Sequence, residues 1–145
     1  MLQKISLLSL TLLLLAWQAC AQNQTYVSTE GRFSIDLSAT TIEERNSPEA
    51  SVGGKKLWWK TANASFSISY ADNLNAKKEL AEGAVNASAD AFLGAIPKSA
   101  ELVLRKKVVI DGYPGIEVKV REPDGYTVLT RYYMVETRLY CVMAL

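Results

Sequence analysis

The chain has no histidine among its 145 residues. Without imidazole it cannot build a Ser-His-Asp triad, a Cys-His pair or any metal centre that needs a histidine ligand. An excess of one charge is also missing. With 16 basic against 15 acidic residues the formal net charge is +1, and no basic run is longer than Arg105-Lys106-Lys107. That balance lacks the electrostatic footprint of a nucleic-acid binder, so no nucleic-acid partner is expected. Gly53-Gly54 before Lys55-Lys56 lacks the spacing of a phosphate-binding loop. Asp72-Asn73 and Asp124-Gly125 lack the dense oxygen alternation of a calcium loop. No cofactor and no metal site is therefore expected, and most hydrolase chemistry is excluded.

Long apolar runs are confined to one place. Lys4 precedes an apolar stretch, Leu7 to Ala16, broken only by Ser9 and Thr11, and Ala19-Cys20-Ala21 sets small residues where a signal peptidase reads them. The run falls short of the roughly 20 residues of a spanning helix, so residues 1–21 are expected to be a secretory signal. The mature domain is then 22–145, secreted or periplasmic, and loss of Lys4 leaves it formally neutral. Cys20 could instead be lipidated, the one route to a membrane. Trp17 and Gln18 depart from the aliphatic and small residues that a lipobox places before its cysteine, so plain export is expected.

Cysteine is scarce, with two in the chain. Export with cleavage after Ala21 leaves Cys141 alone, which forbids an internal disulfide and leaves stability to the apolar core. Flanked by Tyr140 and Val142 with no cation beside it in sequence, Cys141 is expected to be a small buried hydrophobe and not a reactive thiol.

Period-two alternation dominates the rest. Arg32 to Leu37 places Phe33, Ile35 and Leu37 on one side, as in a half-buried strand. Ser38 to Gly54 is polar, with Pro48 and Gly53-Gly54, and is expected to be a surface loop. Lys55 to Thr61 and Ser65 to Tyr70 flank Ala62-Asn63-Ala64 as a hairpin would. From Asn75 the spacing becomes helical. Leu80, Ala84, Ala87, Ala91 and Ala95 form an apolar stripe thickened by Phe92 and Ile96, with Asn73 or Asn75 as cap and Gly94 and Pro97 at the stop. Four strands follow, Glu101–Ile110, Gly115–Arg121, Tyr126–Val135 and Leu139–Ala144, joined by short turns into an antiparallel meander. The expected fold is α+β, a single twisted antiparallel sheet of six to seven strands with a helix across one face.

Candidate acid–base pairs, Glu43-Glu44 and Glu79 with Glu82, are expected to be solvated charge, because nothing apolar nearby in sequence would raise a carboxyl pKa. Trp58-Trp59 is more open to function. Adjacent strand residues face opposite ways, so both rings are buried only if both faces are covered. Otherwise one tryptophan, with Tyr133 or Tyr140, lines a patch for a glycan or a peptide.

Gly31-Arg32-Phe33-Ser34-Ile35-Asp36-Leu37, Asp111-Gly112-Tyr113-Pro114-Gly115-Ile116-Glu117, Arg131-Tyr132-Tyr133 and Arg138-Leu139-Tyr140 together resemble small secreted bacterial domains of the PsbP-like superfamily. That fold is shared by an extrinsic protein of photosystem II and by a nuclear-import factor that binds the GTPase Ran. The resemblance covers nearly the whole mature chain and implies an α/β/α sandwich that binds macromolecules and does no catalysis. It transfers no particular partner. Such domains usually continue into a further helix, whereas this chain stops at the apolar Val142-Met143-Ala144-Leu145. Truncation is expected, or else a bare face at Leu129, Tyr133, Val135, Tyr140 and Val142 that a partner or a second copy covers. The leading expectation is a non-enzymatic exported domain that binds or scaffolds an envelope protein. The alternative is a carrier of a small apolar ligand held between sheet and helix.

Overall fold

Alternation of apolar and polar residues writes most of the strands. The computed structural model of the chain describes residues 24–37, 42–46, 55–61, 63–72 and 80–145. They form β1 (Gln24–Ser28), β2 (Phe33–Leu37), β3 (Ile42–Asn46), β4 (Lys55–Lys60), β5 (Ser65–Asp72), helix α1 (Ala81–Ala95), β6 (Glu101–Ile110), β7 (Tyr113–Arg121), β8 (Thr127–Val135) and β9 (Arg138–Ala144). Residues 1–21, expected to be a secretory signal, with Cys20, the candidate caps Asn73 and Asn75, and Glu79 lie outside the described residues. Among the described residues no helix is long and apolar enough to cross a membrane.

The chain divides into two units between Ala39 and Thr40. In the first, β1 and β2 form an antiparallel hairpin. Thr25 Oγ1 donates to Asp36 Oδ1 at 2.7 Å across it, and the Gly31 N–H donates to Ser28 Oγ at 2.9 Å in its turn.

The second unit is a seven-stranded sheet in the order β3-β4-β5-β9-β8-β7-β6, and each pairing in it is antiparallel. It is an α+β fold. Both the hairpin β4–β5 and the meander β6 to β9 form as their alternation predicts, and β9 joins them by pairing with β5. The polar segment 38–54 does not read as strand, yet Ile42–Asn46 pairs with β4 as an edge strand. Its Glu43, Glu44, Arg45 and Asn46 lack the apolar alternation that marks a strand with one buried face.

Asp111 (φ 48°) and Gly112 (φ 82°) make the two-residue loop between β6 and β7. Positive φ at both central positions is the hairpin turn whose twist matches that of its strands. Tyr113 and Pro114, expected in the turn, belong to β7. Pro123 fixes the next turn, where the Gly125 N–H donates to the Glu122 carbonyl at 3.0 Å and Gly125 takes φ 92°.

Helix α1 packs on β7 and β8. Ala81, Val85 and Ala89 are its buried residues, set against Ile116, Val118, Val120, Tyr132 and Met134. The expected stripe is therefore turned: Leu80, Ala87, Ala91 and Ala95 are exposed, and Ala84 is half-buried. The stripe 81-85-89-92-96 has helical spacing too, and it brings Val85, Phe92 and Ile96 to the sheet. That rotation also points Glu82 and Asp90 at β6, where Lys107 Nζ lies 2.9 Å from Glu82 Oε2 and Arg105 Nη1 2.6 Å from Asp90 Oδ1.

One polar atom in this core is orphaned. Thr130 is 0% exposed, and its Oγ1 has no hydrogen-bond partner among the described residues. An unmet buried hydroxyl carries its desolvation cost without return. Thr130→Val, nearly isosteric, is expected to stabilise the fold by about 1 kcal/mol, read as a raised urea midpoint at unchanged m-value. A lowered midpoint would mean that the hydroxyl has a partner after all.

Candidate functional site

Register assigns each candidate side chain to a face. Trp59, Tyr133 and Tyr140 share the face turned away from α1, and Trp58 lies on the helix side. Trp59 is 8% exposed and stacks on Phe66 with ring centroids 5.6 Å apart. Tyr140 is also 8% exposed and packs against Tyr70. Tyr133 is half-buried. Trp58 is half-buried under Lys60, whose ammonium sits 4.7 Å from its ring centroid. The structure does not gather the four into one patch. Cross-strand rows place Trp59 with Phe66, Ala144 and Leu129, and place Tyr133 with Tyr140 and Tyr70. The row of Leu57, Ile68 and Val142 lies between them. On the face expected to be bare, Tyr140 is buried and Leu129, Tyr133, Val135 and Val142 are half-buried.

Two charge clusters on that face escaped the sequence. Alternation with Ile116 and Val118 suggests an exposed Glu117, but it is 4% exposed because Lys106 and Arg131, from the strands on either side, close over it. Burial pushes its carboxyl up, yet hydrogen bonds from Lys106 and Arg131 and their positive charge outweigh burial and hold it below its ordinary 4.5. A carboxyl lowered by folding contributes stability above its unfolded pKa and loses it as pH falls through the lower, folded value. Urea unfolding of wild type and Glu117→Gln should thus differ most at neutral pH and converge below about pH 4. A gap that stays constant across that range would count against the ion-paired carboxylate.

In the second cluster Arg138 holds Asp72 with two hydrogen bonds, of 2.7 and 2.8 Å, while its guanidinium lies 4.7 Å from the Tyr70 ring centroid. Hydrogen bonding to Asp72 raises the Arg138 pKa against the opposing effect of burial. Arg138 stays cationic at any working pH.

Chemistry is sparse elsewhere. Burial pushes the Cys141 thiol up, against the smaller effects of its hydrogen bonds with Tyr132 and Ser69 and of the charge on Lys56. Glu43 and Glu44 stand on β3, Glu43 exposed, and Glu82 is paired with Lys107. Among the described residues no cluster of three or more cysteine, aspartate or glutamate side chains could hold a metal ion. A cleft of about 470 Å³ opens where Ala81 meets the two hairpin turns, lined by Asp111, Tyr113, Pro114, Met134 and Glu136 among others. Asp111 and Glu136 both take left-handed φ, 48° and 54°. No sequence motif announces this cleft, because its walls lie far apart along the chain.

The feature most open to a partner is β6. It pairs with β7 alone among the described strands, and eight of its ten residues are exposed. Val109 is 71% and Leu102 49% exposed.

No protein-family model matches the chain, and no curated protein matches it. Among solved structures it is similar to PA94 from Pseudomonas aeruginosa, a protein of unknown function. The identity is 16% over 83% of this chain and 80% of that one, with a TM-score of 0.43.

Proposed function

We propose that the protein is an exported, non-enzymatic domain that binds or scaffolds another protein of the cell envelope. The observation that carries this reading is β6 itself, a long strand that pairs with β7 alone among the described strands and leaves apolar side chains in water at both ends, Leu102 and Val103 at one and Val109 and Ile110 at the other. Single exposed apolar residues are ordinary, but a long strand edge without a partner strand among the described residues offers backbone groups as well as apolar side chains to another chain. Export rests on the leader-like residues 1–21. Membership of the PsbP-like superfamily rests on the four sequence motifs, together with an antiparallel sheet crossed by a helix.

The non-enzymatic reading draws on the absence of histidine from the chain, on carboxylates held by cations, and on a thiol that burial keeps protonated. The carrier alternative gains nothing from the contact of α1 with β7 and β8, where Ala89, Val118 and Val120 are 0% exposed and fill the space.

The test is photo-crosslinking in the native host, with a benzophenone amino acid introduced in turn at Val109, on the exposed helix position Ala91 and at Tyr126. A specific adduct with an envelope protein from any of these positions is the expected outcome. Absence of adducts from all three, with the protein present and exported, would overturn the binding reading.

A further inference from the structure

The edge of β6 has an internal pattern that says what it admits. Its hairpin to β7 closes at Ile110 and Tyr113, which flank a two-residue turn and so share its hydrogen bond. Ladder bonds in an antiparallel pair alternate, so the next residue back, Val109, turns its N–H and C=O away from β7, as do Lys107 and Arg105. Pro114 agrees with this phase. It stands opposite Val109, where its missing N–H costs the β6 ladder nothing, and pairing of β7 with β8 begins only at Gly115. Arg105, Lys107 and Val109 therefore offer three pairs of backbone groups to an incoming strand. A register irregularity between Leu102 and Leu104 ends the regular edge on the other side.

Charge then selects the strand. Arg105, Lys106 and Lys107 occupy the middle of this edge, and the Arg131 guanidinium stands behind them. Three carboxylates, Glu82, Asp90 and Glu117, answer these four cations from the body of the domain. The surplus is positive, and the side chains of Lys106 and Lys107 remain 52% and 73% exposed. A second copy fits poorly. Every antiparallel self-pairing that keeps the outward groups facing each other and overlaps most of the strand sets Arg105, Lys106 or Lys107 opposite its own counterpart, and like charges directly opposite destabilise a pair. Lysine at an edge is a usual guard against such self-association. Val108, Val109 and Ile110 beside the cations favour apolar or β-branched neighbours.

We propose that β6 is a docking edge for an extended segment of another protein, with acidic residues at its centre and apolar residues flanking them, added to the sheet as an eighth strand beside Arg105, Lys107 and Val109. This rests on the protein-binding reading above and names the site and the chemistry of the partner.

The test uses the mature chain and two fluorescein-labelled, acetylated heptapeptides, VVEDEVV and its counterpart VVKKKVV. Fluorescence anisotropy should show the acidic peptide binding about tenfold or more tightly than the lysine peptide, and weakening several-fold as salt rises from about 0.05 M to about 0.5 M. Hydrogen exchange should slow at the amides of Arg105, Lys107 and Val109, while those of Lys106 and Val108 stay unchanged. Lys107→Pro removes one outward donor without touching the β7 ladder and should abolish binding with the circular dichroism spectrum unchanged. If that variant unfolds, Lys107→Glu serves in its place and should narrow or reverse the preference between the peptides. Equal binding of both peptides, no saturable binding, protection elsewhere on the domain, or a concentration-dependent dimer broken by the β6 variant would each overturn the assignment. The crosslinking experiment separates the two levels: an envelope adduct from Ala91 or Tyr126 but none from Val109 removes β6 and leaves the binding reading standing.

Discussion

Gly115→Ala is expected to lower the unfolding free energy by about 3 kcal/mol, the upper end of what overpacking a core costs. A Cβ added there would run into Tyr133 Cδ1 and lie 2.7 Å from the backbone oxygen of Tyr132. The tyrosine ring would have to swing aside, and the carbonyl belongs to a strand paired on both sides and cannot follow it. Gly112→Ala supplies the contrast. Its Cβ would meet nothing within 4 Å, but φ is +82°, so the cost is backbone strain of about 1 kcal/mol. Equilibrium urea unfolding of both variants should rank them in that order. Equal costs, or a milder effect at Gly115, would mean that Tyr133 does not lie over the glycine.

Asp72→Ala should rank second, at about 2 kcal/mol or somewhat more. The Arg138 side chain is 9% exposed, so loss of its carboxylate strands a buried cation, while the 45% exposure of Asp72 lets water offset part of the 3–5 kcal/mol typical of a fully buried broken pair. Asp72→Ala combined with Arg138→Met should recover most of the loss, because a methionine can lie against Tyr70 without needing a counter-ion. A double variant as unstable as the single one would show that Arg138 contributes through its packing on Tyr70 more than through Asp72.

These two sites also show where sequence reasoning reached and where it stopped. Gly112 and Gly115 stand in the same Gly-Tyr-Pro-Gly motif and invite one explanation, conformational freedom. That holds for Gly112. At Gly115 the requirement is room, set by a tyrosine on the next strand, and no local pattern encodes it. Glu117 repeats the lesson, since its place between Ile116 and Val118 marks it as solvent-facing and only the neighbouring strands supply Lys106 and Arg131. The α1 stripe was ambiguous for a related reason. An alanine-rich helix offers two apolar faces of similar spacing, and the sheet beneath, with the cations on β6, chooses between them. The candidate aromatic site was half legible. Period two placed Trp58 and Trp59 on opposite faces, but which tyrosines either would meet depends on the register through β5 and β9.

What the sequence determined unaided is the local grammar of β4 to β9: alternation at period two, the Asp111-Gly112 and Pro123–Gly125 turns, the helical spacing that stops at Pro97, and the chemistry barred by the absence of histidine. Each depends on residues within one element or one turn, where backbone geometry alone links pattern to structure. Tertiary structure decided the pairing of β9 with β5, the strand character of the polar segment Ile42–Asn46, the rotation of α1, the burial of Glu117 and Arg138, and the choice of β6 as an open edge. Those depend on which strands become neighbours, and pairs as distant as Asp72 and Arg138 are brought together by closure of the whole sheet rather than by any signal in either segment.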